Sequence, residues 1–210
     1  MDNLEEIVYY PTRVYAILKP EFHEAVHAVS EKYLELSRSS DLLHSPHMTM
    51  TAPYDHEPDL AYFGQYVSQT AWNILASQGY AMDQLVTFFT EMWTQEHRHS
   101  SGMNTHIHPR GSQISAFYFL EVPEKSGHMV IHDPRPGKVM INLFPADLTK
   151  VSDATDGIVL MPQVGMLVFT NAWLPHSFTR NDDQQPMKFV HMNLGVMPNI
   201  IKPKSEVEII

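Results

Sequence analysis

The chain has 210 residues, of which 43% are hydrophobic and 10% aromatic, so its composition is that of a globular protein with one sizeable core. Its formal charge of −10 argues against general binding to nucleic-acid phosphates or to anionic membranes. It contains no cysteine, which excludes disulfides, thiolate metal sites and thiol nucleophiles.

The first part of the chain is predicted to be mainly helical. A short strand at residues 14–17 is followed by Pro20, which suits the first turn of a helix. Apolar residues then recur at helical spacing up to about residue 36: Phe22, Val26, Val29 and Tyr33. A second helix is predicted over residues 58–78, with its apolar residues on one face and Gly79 as its stop.

From residue 84 onward the pattern changes to strands. Segments rich in β-branched and aromatic residues follow one another, separated by Pro, Gly, Asn and Asp turn signals. They lie at residues 85–93, 113–122, 128–132, 139–144, 158–160, 166–170, 177–180 and 187–194.

Helices followed by a run of strands predict an α+β fold. We expect a double-sheet jelly roll that N-terminal helices support on one side. Residues 1–210 are interpreted as one domain, with a helical N-terminal part at about residues 1–83 and a jelly-roll core at about residues 84–197.

Three histidines form the most informative motif. His106 and His108 are separated by one residue, so both side chains can point to the same side of an extended segment. His176 ends a loop that enters another predicted strand, and sheet pairing can bring it to the same mouth of the roll. Three imidazoles that leave coordination positions open suit non-haem Fe(II) chemistry. The alternative is that they are ordinary polar loop residues in a chain with 13 histidines.

A series of short motifs extends from Trp93 to Val196. In chain order they are the Trp93 strand, His106-x-His108-Pro109 with Ser112 nearby, Ser115-x-x-Tyr118-x-Leu120, Ser126-Gly127, Asp133-Pro134-Arg135, Pro162 with Gly165, and Trp173-Leu174-Pro175-His176. Taken together, they resemble the 2-oxoglutarate/Fe(II)-dependent oxygenase family, whose small members include bacterial and phage proteins. The preceding strand and helices also fit, so the resemblance covers most of the chain. It implies a prolyl-hydroxylase-like double-stranded β-helix that uses Fe(II) and 2-oxoglutarate.

The resemblance implies that His106 is the first iron ligand and His176 the distal histidine. The wider superfamily has Asp or Glu where this chain has His108, so the third ligand is open. His108 is favoured because it has the right offset from His106, and Asp133 or a water molecule is the alternative. A three-histidine site would leave the charge of the metal less neutralised.

The resemblance also implies a basic residue for the distal carboxylate of 2-oxoglutarate, usually an arginine on the strand after the last histidine. Lys188 takes that place, twelve residues after His176, and offers a point charge instead of a bidentate fork. Arg180 is the alternative anchor, and Tyr118 would donate its hydroxyl to the same carboxylate. The structural alternatives are a solvent-facing Lys188 and a Tyr118 that packs in the core.

Two residues are candidates for substrate binding. Arg135 could bind an acid group of the substrate or could merely fasten a turn through salt bridges. Trp173, in the loop before His176, is the second candidate. No catalytic residue is predicted beyond the metal centre.

We therefore expect a 2-oxoglutarate-dependent dioxygenase, an oxidoreductase that hydroxylates an unidentified substrate and releases succinate and CO2. Two alternatives stay open: a cupin-like three-histidine metal enzyme that does not use 2-oxoglutarate, and a non-catalytic jelly-roll binding or structural protein. The expected partners are O2 and a small-molecule or peptide substrate, while membranes and duplex nucleic acid are disfavoured.

A homodimer formed at a sheet edge would be unsurprising. The N-terminal residues lack the pattern of a signal peptide, and no apolar run reaches transmembrane length. These features predict a cytoplasmic location, in the host if the chain comes from a phage.

Overall fold

The computed structural model describes residues 5–8, 10–40, 45–108, 111–141 and 143–200. Within these ranges it contains two α-helices, α1 (His23–Arg38) and α2 (Ala61–Ser77), each preceded by a single 3-10 turn that starts with proline. The strands are β1 (Val14–Leu18), β2 (Met48–Met50), β3 (Leu85–His97), β4 (Met103–His106), β5 (Ile114–Glu121), β6 (Met129–His132), β7 (Gly157–Leu160), β8 (Met166–Asn171), β9 (His176–Phe178) and β10 (Met187–Pro198).

The strands form two antiparallel sheets. The large sheet has the order β1-β8-β5-β10-β3-β2 and the small sheet the order β4-β9-β6-β7. Neighbouring strands in space are mostly distant in sequence, as in a jelly roll. The α+β double-sheet fold predicted from the sequence is confirmed. The large sheet also takes up β1 and β2, which precede the predicted start of the jelly-roll core.

Two apolar cores lie on the two faces of the large sheet. The outer face packs against α1 and α2. The core between them includes Val26, Phe63 and Val67 from the helices and Tyr118, Val190 and Met192 from the sheet. The inner face packs against the small sheet through Phe117, Phe119, Val168 and Phe189 on one side and Met129, Ile131 and Phe178 on the other. The helices therefore cover one side of the sheet, and the interior of the roll lies on the other.

Strand β10 shows this division residue by residue. Phe189 belongs to the core between the sheets, whereas Val190 and Met192 belong to the core beneath the helices. Because side chains alternate along a strand, His191 and Asn193 share the inner face with Phe189. The same rule assigns the even-numbered residues of β10 to the helix side.

Helix α2 ends through a left-handed glycine. Gly79 has φ +93°, its N–H donates to the carbonyl of Ala76, and the N–H of Tyr80 donates to the carbonyl of Leu75. This pair of bonds is a Schellman motif, which satisfies carbonyls that the helix leaves free at its end. The predicted stop signal at Gly79 is therefore confirmed.

One predicted strand is wrong. The segment proposed at residues 139–144 begins in a 3-10 helix, Pro136–Met140, and its other described residues are not in a strand. Pro134 and Pro136 remove two backbone donors just before it, which disfavours strand pairing there. Conversely, the short strands β2 and β4 were not predicted, because runs of three or four residues carry almost no periodic signal.

Candidate metal centre

The structure brings His106, His108 and His176 together at one end of the roll. His106 ends β4 and is the cross-strand partner of His176, which begins β9. The backbone N–H of His108 donates to the carbonyl of Ala172 at 2.9 Å, which ties the residue to the end of β8. One ring nitrogen of each histidine lies within 4.8 Å of those of the other two. The three imidazoles can therefore bind a single ion.

Hydrogen bonds set the protonation of two of these rings. Nδ1 of His106 lies 2.8 Å from the carbonyl oxygen of Asn104, and Nδ1 of His176 lies 2.9 Å from that of Leu174. A carbonyl oxygen can only accept, so Nδ1 carries the proton in both rings. Each Nε2 then presents a lone pair, which is the form of histidine that binds a metal.

Burial keeps the rings of His108 and His176 neutral. His176 is fully buried, and burial is the main cause that lowers its pKa to about 4. For His108, burial followed by the charges of His176 and His106 lowers the pKa to about 3. Near neutral pH both residues are uncharged and can serve as metal ligands without first losing a proton. The set of three nitrogen donors fits an Fe(II) ion, with room in its coordination sphere for other ligands.

Asn193 lies beside His108 on the inner face of β10. Its amide nitrogen is 3.4 Å from Nδ1 of His108 and 3.4 Å from a carboxylate oxygen of Glu91, while its amide oxygen accepts a hydrogen bond of 2.8 Å from Ser115. A metal bound at Nε2 of His108 requires a proton on Nδ1, and that proton needs an acceptor. The Asn193 amide oxygen can accept it when the amide is turned over, because the Ser115 hydroxyl can pair with either amide end, although the hydrogen bond to Glu91 is then given up.

A row of aromatic side chains crosses the inner face of the large sheet at the level of His191, which is the inward-facing residue of β10 next to Asn193. Trp93, His191 and Phe117 are cross-strand neighbours on β3, β10 and β5. The ring centroid of His191 lies 4.3 Å from that of Trp93 and 4.4 Å from that of His108. Burial holds the pKa of His191 well below its usual value. Among the described residues, neither Nε1 of Trp93 nor Nε2 of His191 has a hydrogen-bond partner, although both atoms are buried.

The structure does not bring Tyr118 and Lys188 to the histidines. Both lie on the outer face of the large sheet. The Tyr118 hydroxyl donates to the carbonyl of Lys19 at 2.7 Å, and the Lys188 ammonium donates to Glu31 at 2.6 Å and to Glu121 at 3.0 Å. The expectation that they hold the co-substrate carboxylate therefore needs correction, because strand alternation turns them away from the metal centre.

No described hydrogen bond or ion pair joins Arg180 or Arg135 to the three histidines. Arg180 is exposed and follows the far end of β9, roughly 13 Å along an extended chain from His176. Arg135 forms a two-pronged ion pair with Asp133, with its Nε 2.9 Å and its Nη2 2.7 Å from the carboxylate oxygens. This is the turn-fastening arrangement. The Arg135 hydrogen bonds hold the pKa of Asp133 below its usual value, and Asp133 is not part of the histidine group.

Trp173 lies close to the centre in sequence but faces a different space. It is half exposed, at 49%, and lines a cavity of about 270 Å³ together with Tyr10, Arg13 and Tyr80. None of the three clustered histidines lines this cavity. Trp173 therefore lines a cavity to which the three histidines do not contribute.

His191 and Asn193 are functional candidates that the sequence motifs do not identify. A signal for them was present, since they are the two most polar residues in the apolar stretch 189–194 and are two positions apart. In a strand that spacing puts them on one face. Buried polar residues on a common face are uncommon in a core and often mark a site.

Comparison with known proteins agrees with this geometry. Residues 91–188 match the family model described as "Putative 2OG-Fe(II) oxygenase". No curated protein matches the sequence.

Several solved structures share the fold. A prolyl-4-hydroxylase from Pseudomonas putida superposes with a TM-score of 0.57 at 12% identity, covering 87% of this chain and 92% of that one. The viral collagen prolyl hydroxylase of Paramecium Bursaria Chlorella virus-1, in its 2OG complex, gives 0.53 at 10% identity, covering 87% and 94%. A 2OG-Fe(II) oxygenase family oxidoreductase from Burkholderia pseudomallei gives 0.53 at 9% identity, covering 82% and 78%.

The segment that carries all three histidines thus belongs to the Fe(II)- and 2-oxoglutarate-dependent oxygenases. The protein is an oxidoreductase, and its cofactors are iron and 2-oxoglutarate. Neither described helix combines the length and apolarity needed to cross a bilayer.

Proposed function

We propose that the protein is a dioxygenase that hydroxylates its substrate with release of succinate and CO2, and that His106, His108 and His176 bind its iron. The observation that carries this proposal is the convergence of the three ring nitrogens within 4.8 Å of one another at the mouth of the jelly roll. Bound iron supplies the O2 chemistry that couples oxidative decarboxylation of 2-oxoglutarate to hydroxylation of a C–H bond.

The chain itself supplies geometry and exclusion of water. The carbonyls of Asn104 and Leu174 hold two of the imidazoles in the tautomer that can ligate. Phe117 packs edge-on against His176, with ring centroids 5.2 Å apart, and closes the inner side of the centre. Reactive species formed there would be shielded from solvent on that side.

The third ligand is His108 in this proposal. Its Nε2 is 3.2 Å from Nε2 of His176, whereas Asp133 is already bound by Arg135 and lies 3.7 Å from the ammonium of Lys138. Moving Asp133 to the metal would break these charge-assisted contacts, and no such cost attaches to His108.

The test is anaerobic addition of Fe(II) and then 2-oxoglutarate, followed through the visible charge-transfer band of the chelate. We expect the band in the wild type and in His99→Ala, which removes an exposed histidine. It should be absent in His106→Ala and His176→Ala. Loss of the band in His108→Ala, with retention in Asp133→Ala, would support His108 as third ligand, and the reverse result would assign Asp133.

The same protein tests the alternatives. A metal enzyme without a requirement for 2-oxoglutarate would bind iron but give no band with the oxo acid, and a binding protein would retain no iron on purification. Neither alternative is favoured, because the family match covers the histidine motifs. Formation of succinate that depends on both Fe(II) and 2-oxoglutarate would exclude them.

A further inference from the structure

No lysine or arginine of the described strands faces the interior of the roll, where the distal carboxylate of 2-oxoglutarate would lie. Among the ten strands of the described structure, Lys188 is the only lysine or arginine. It is on the outer face, where it is bound to Glu31 and Glu121 and lies 3.8 Å from Glu96. The strands around the histidines can therefore offer the co-substrate only uncharged donors.

Two such donors lie next to the histidine centre. Nε1 of Trp93 can only donate a hydrogen bond, and Nε2 of His191 donates in the tautomer that is protonated there. Both atoms are buried and unpartnered among the described residues. The rings touch, with centroids 4.3 Å apart, and the His191 ring meets that of His108 edge to face at 4.4 Å.

Leaving a buried N–H without a partner costs about 1–3 kcal/mol, so native proteins rarely keep two of them side by side. A ligand that accepts from both would remove that penalty. An anion is the best acceptor, because hydrogen bonds to charged groups are roughly twice as strong as those between neutral groups.

We propose that Trp93 and His191 bind the distal carboxylate of 2-oxoglutarate through their ring N–H groups, in place of a basic side chain. This inference rests on the proposed function, because it places the co-substrate between the iron ligands and the inner face of β10. It makes Trp93 and His191 the residues that determine specificity for a dicarboxylic oxo acid. The carboxylate gains no full counter-charge there, so discrimination comes from hydrogen bonds alone.

The test compares 2-oxoglutarate with 2-oxovalerate, which keeps the chelating end and has a methyl group where the distal carboxylate would be. Each acid is titrated anaerobically into the full-length Fe(II)-loaded protein, and the charge-transfer band gives its Kd. We expect Trp93→Phe and His191→Phe each to raise the Kd of 2-oxoglutarate about 10-fold, the lower bound for a lost charge-assisted hydrogen bond. The Kd of 2-oxovalerate should be unchanged. The double variant should lose most of the preference.

Trp72→Phe is the matched control. It also removes an indole N–H, but that N–H donates to the carbonyl of Leu85 at 2.9 Å beneath the helices. The preference for 2-oxoglutarate should be unchanged in this variant. Because each single variant keeps an aromatic ring and reports independently, one folded variant is enough to decide.

Wild-type preference in either Trp93→Phe or His191→Phe, once that variant is shown to be folded, would overturn the inference while the proposed function stood. Loss of the preference in Arg180→Gln or in Arg110→Gln, which lies outside the described residues, would also overturn it by identifying a cation. Absence of the band with either acid in the wild type would instead remove the proposed function, and this inference with it.

Discussion

The Nε2 atoms of His108 and His176 lie 3.2 Å apart, although the two residues are separated by 68 positions in the chain. Two metal–nitrogen bonds of about 2.1 Å that meet at a right angle place their nitrogens about 3.0 Å apart. The observed separation is therefore close to that of two ligands on one ion. Without an ion, two lone pairs at this distance repel unless a proton lies between them.

Relief of this contact should appear as stabilisation by metal. We expect anaerobic Fe(II) to raise the Tm of the wild type, since a ligand at 100 times its Kd contributes about 2.7 kcal/mol, or roughly 5–10 °C for a chain of this size. His176→Ala should show almost no shift, while His99→Ala should respond like the wild type. A full shift in His176→Ala, measured by differential scanning calorimetry, would contradict a site at these histidines.

Asn193 should affect the affinity for the metal through its contact with His108. Replacement by Ala removes the acceptor for Nδ1–H, and loss of such a partner typically weakens metal binding 10–100-fold. Asn193→Asp supplies a carboxylate acceptor of the same shape, which faces the carboxylate of Glu91, and it should bind the metal more tightly than Asn193→Ala. Competition with a chelating dye measures both. Equal weakening in Asp and Ala variants would mean that Asn193 acts through packing and not through this hydrogen bond.

Tyr118 should matter for stability and not for co-substrate binding. Burial, followed by the charge of Glu21, raises the pKa of Tyr118 to about 12, so its hydroxyl stays protonated and donates to the carbonyl of Lys19. Tyr118→Phe should lower the free energy of unfolding by about 1 kcal/mol. The Kd of 2-oxoglutarate should be unchanged. A weaker Kd with unaltered stability would restore Tyr118 to the co-substrate site.

Lys188 should also contribute to the free energy of unfolding. Burial alone would lower its pKa, but hydrogen bonds to Glu31 and Glu121 outweigh this and raise it. Its side chain is only 9% exposed. Lys188→Met should cost about 3 kcal/mol in urea unfolding, because it leaves the buried carboxylate of Glu96 and its neighbours with one cation fewer.

Lys150→Met is the control for Lys188→Met. Lys150 pairs with Asp147 at 3.0 Å, but its side chain is 78% exposed, so its loss should change the free energy of unfolding by less than about 1 kcal/mol. Similar effects from both variants would show that the Lys188 cluster is no stronger than a surface pair. A change in 2-oxoglutarate affinity from Lys188→Met in a stably folded protein would revive its predicted role as anchor.

His97 should make folding stability depend on pH. Burial lowers its pKa to about 4, against about 6.5 in an unfolded chain. Between these pH values His97 binds a proton in the unfolded chain but not in the folded protein. The free energy of unfolding therefore falls as the pH drops from 6.5 to 4. The loss is on the order of 3 kcal/mol over the whole window.

His97→Gln keeps a polar side chain next to Gln95 and Ser101, the two hydrogen-bond partners of the histidine. In metal-free protein, its unfolding free energy should change with pH by about 1.4 kcal/mol less per pH unit than that of the wild type within the window. His108 and His176 contribute a slope of the same sign to both proteins, so the difference isolates His97. Parallel pH profiles would mean that His97 is not buried as a neutral ring.

Much of the fold could be predicted because its patterns are local. Helix α2 combines one apolar face with a glycine stop, and the long strands are dense in β-branched and aromatic residues. The grouping of His106, His108 and His176 was also accessible, since the first two are close in sequence and the third follows a short loop. The segment at residues 139–144 has strand-like composition but no pairing partner, and composition alone cannot show that.

The side of the sheet from which Lys188 and Tyr118 project could not be predicted. Strands β5 and β10 are buried on both faces, so apolar residues occupy consecutive positions and the period of two is hidden. A shift in register between Lys188 and Phe189, where β10 pairs with β5, adds to the ambiguity. Spacing from His176 gives a position along the strand but not the side from which the residue projects.

Strand β10 binds the helices with one set of side chains and lines the reaction chamber with the other. Shortening or lengthening it by one residue between Lys188 and His191 would turn the side chains on one side of the change to the opposite face. Either the ammonium would enter the aromatic interior, or His191 would turn toward α1 and α2. We expect natural relatives and laboratory libraries to tolerate substitutions here far better than single-residue insertions or deletions, because a frame change in this segment disrupts scaffold and chemistry together.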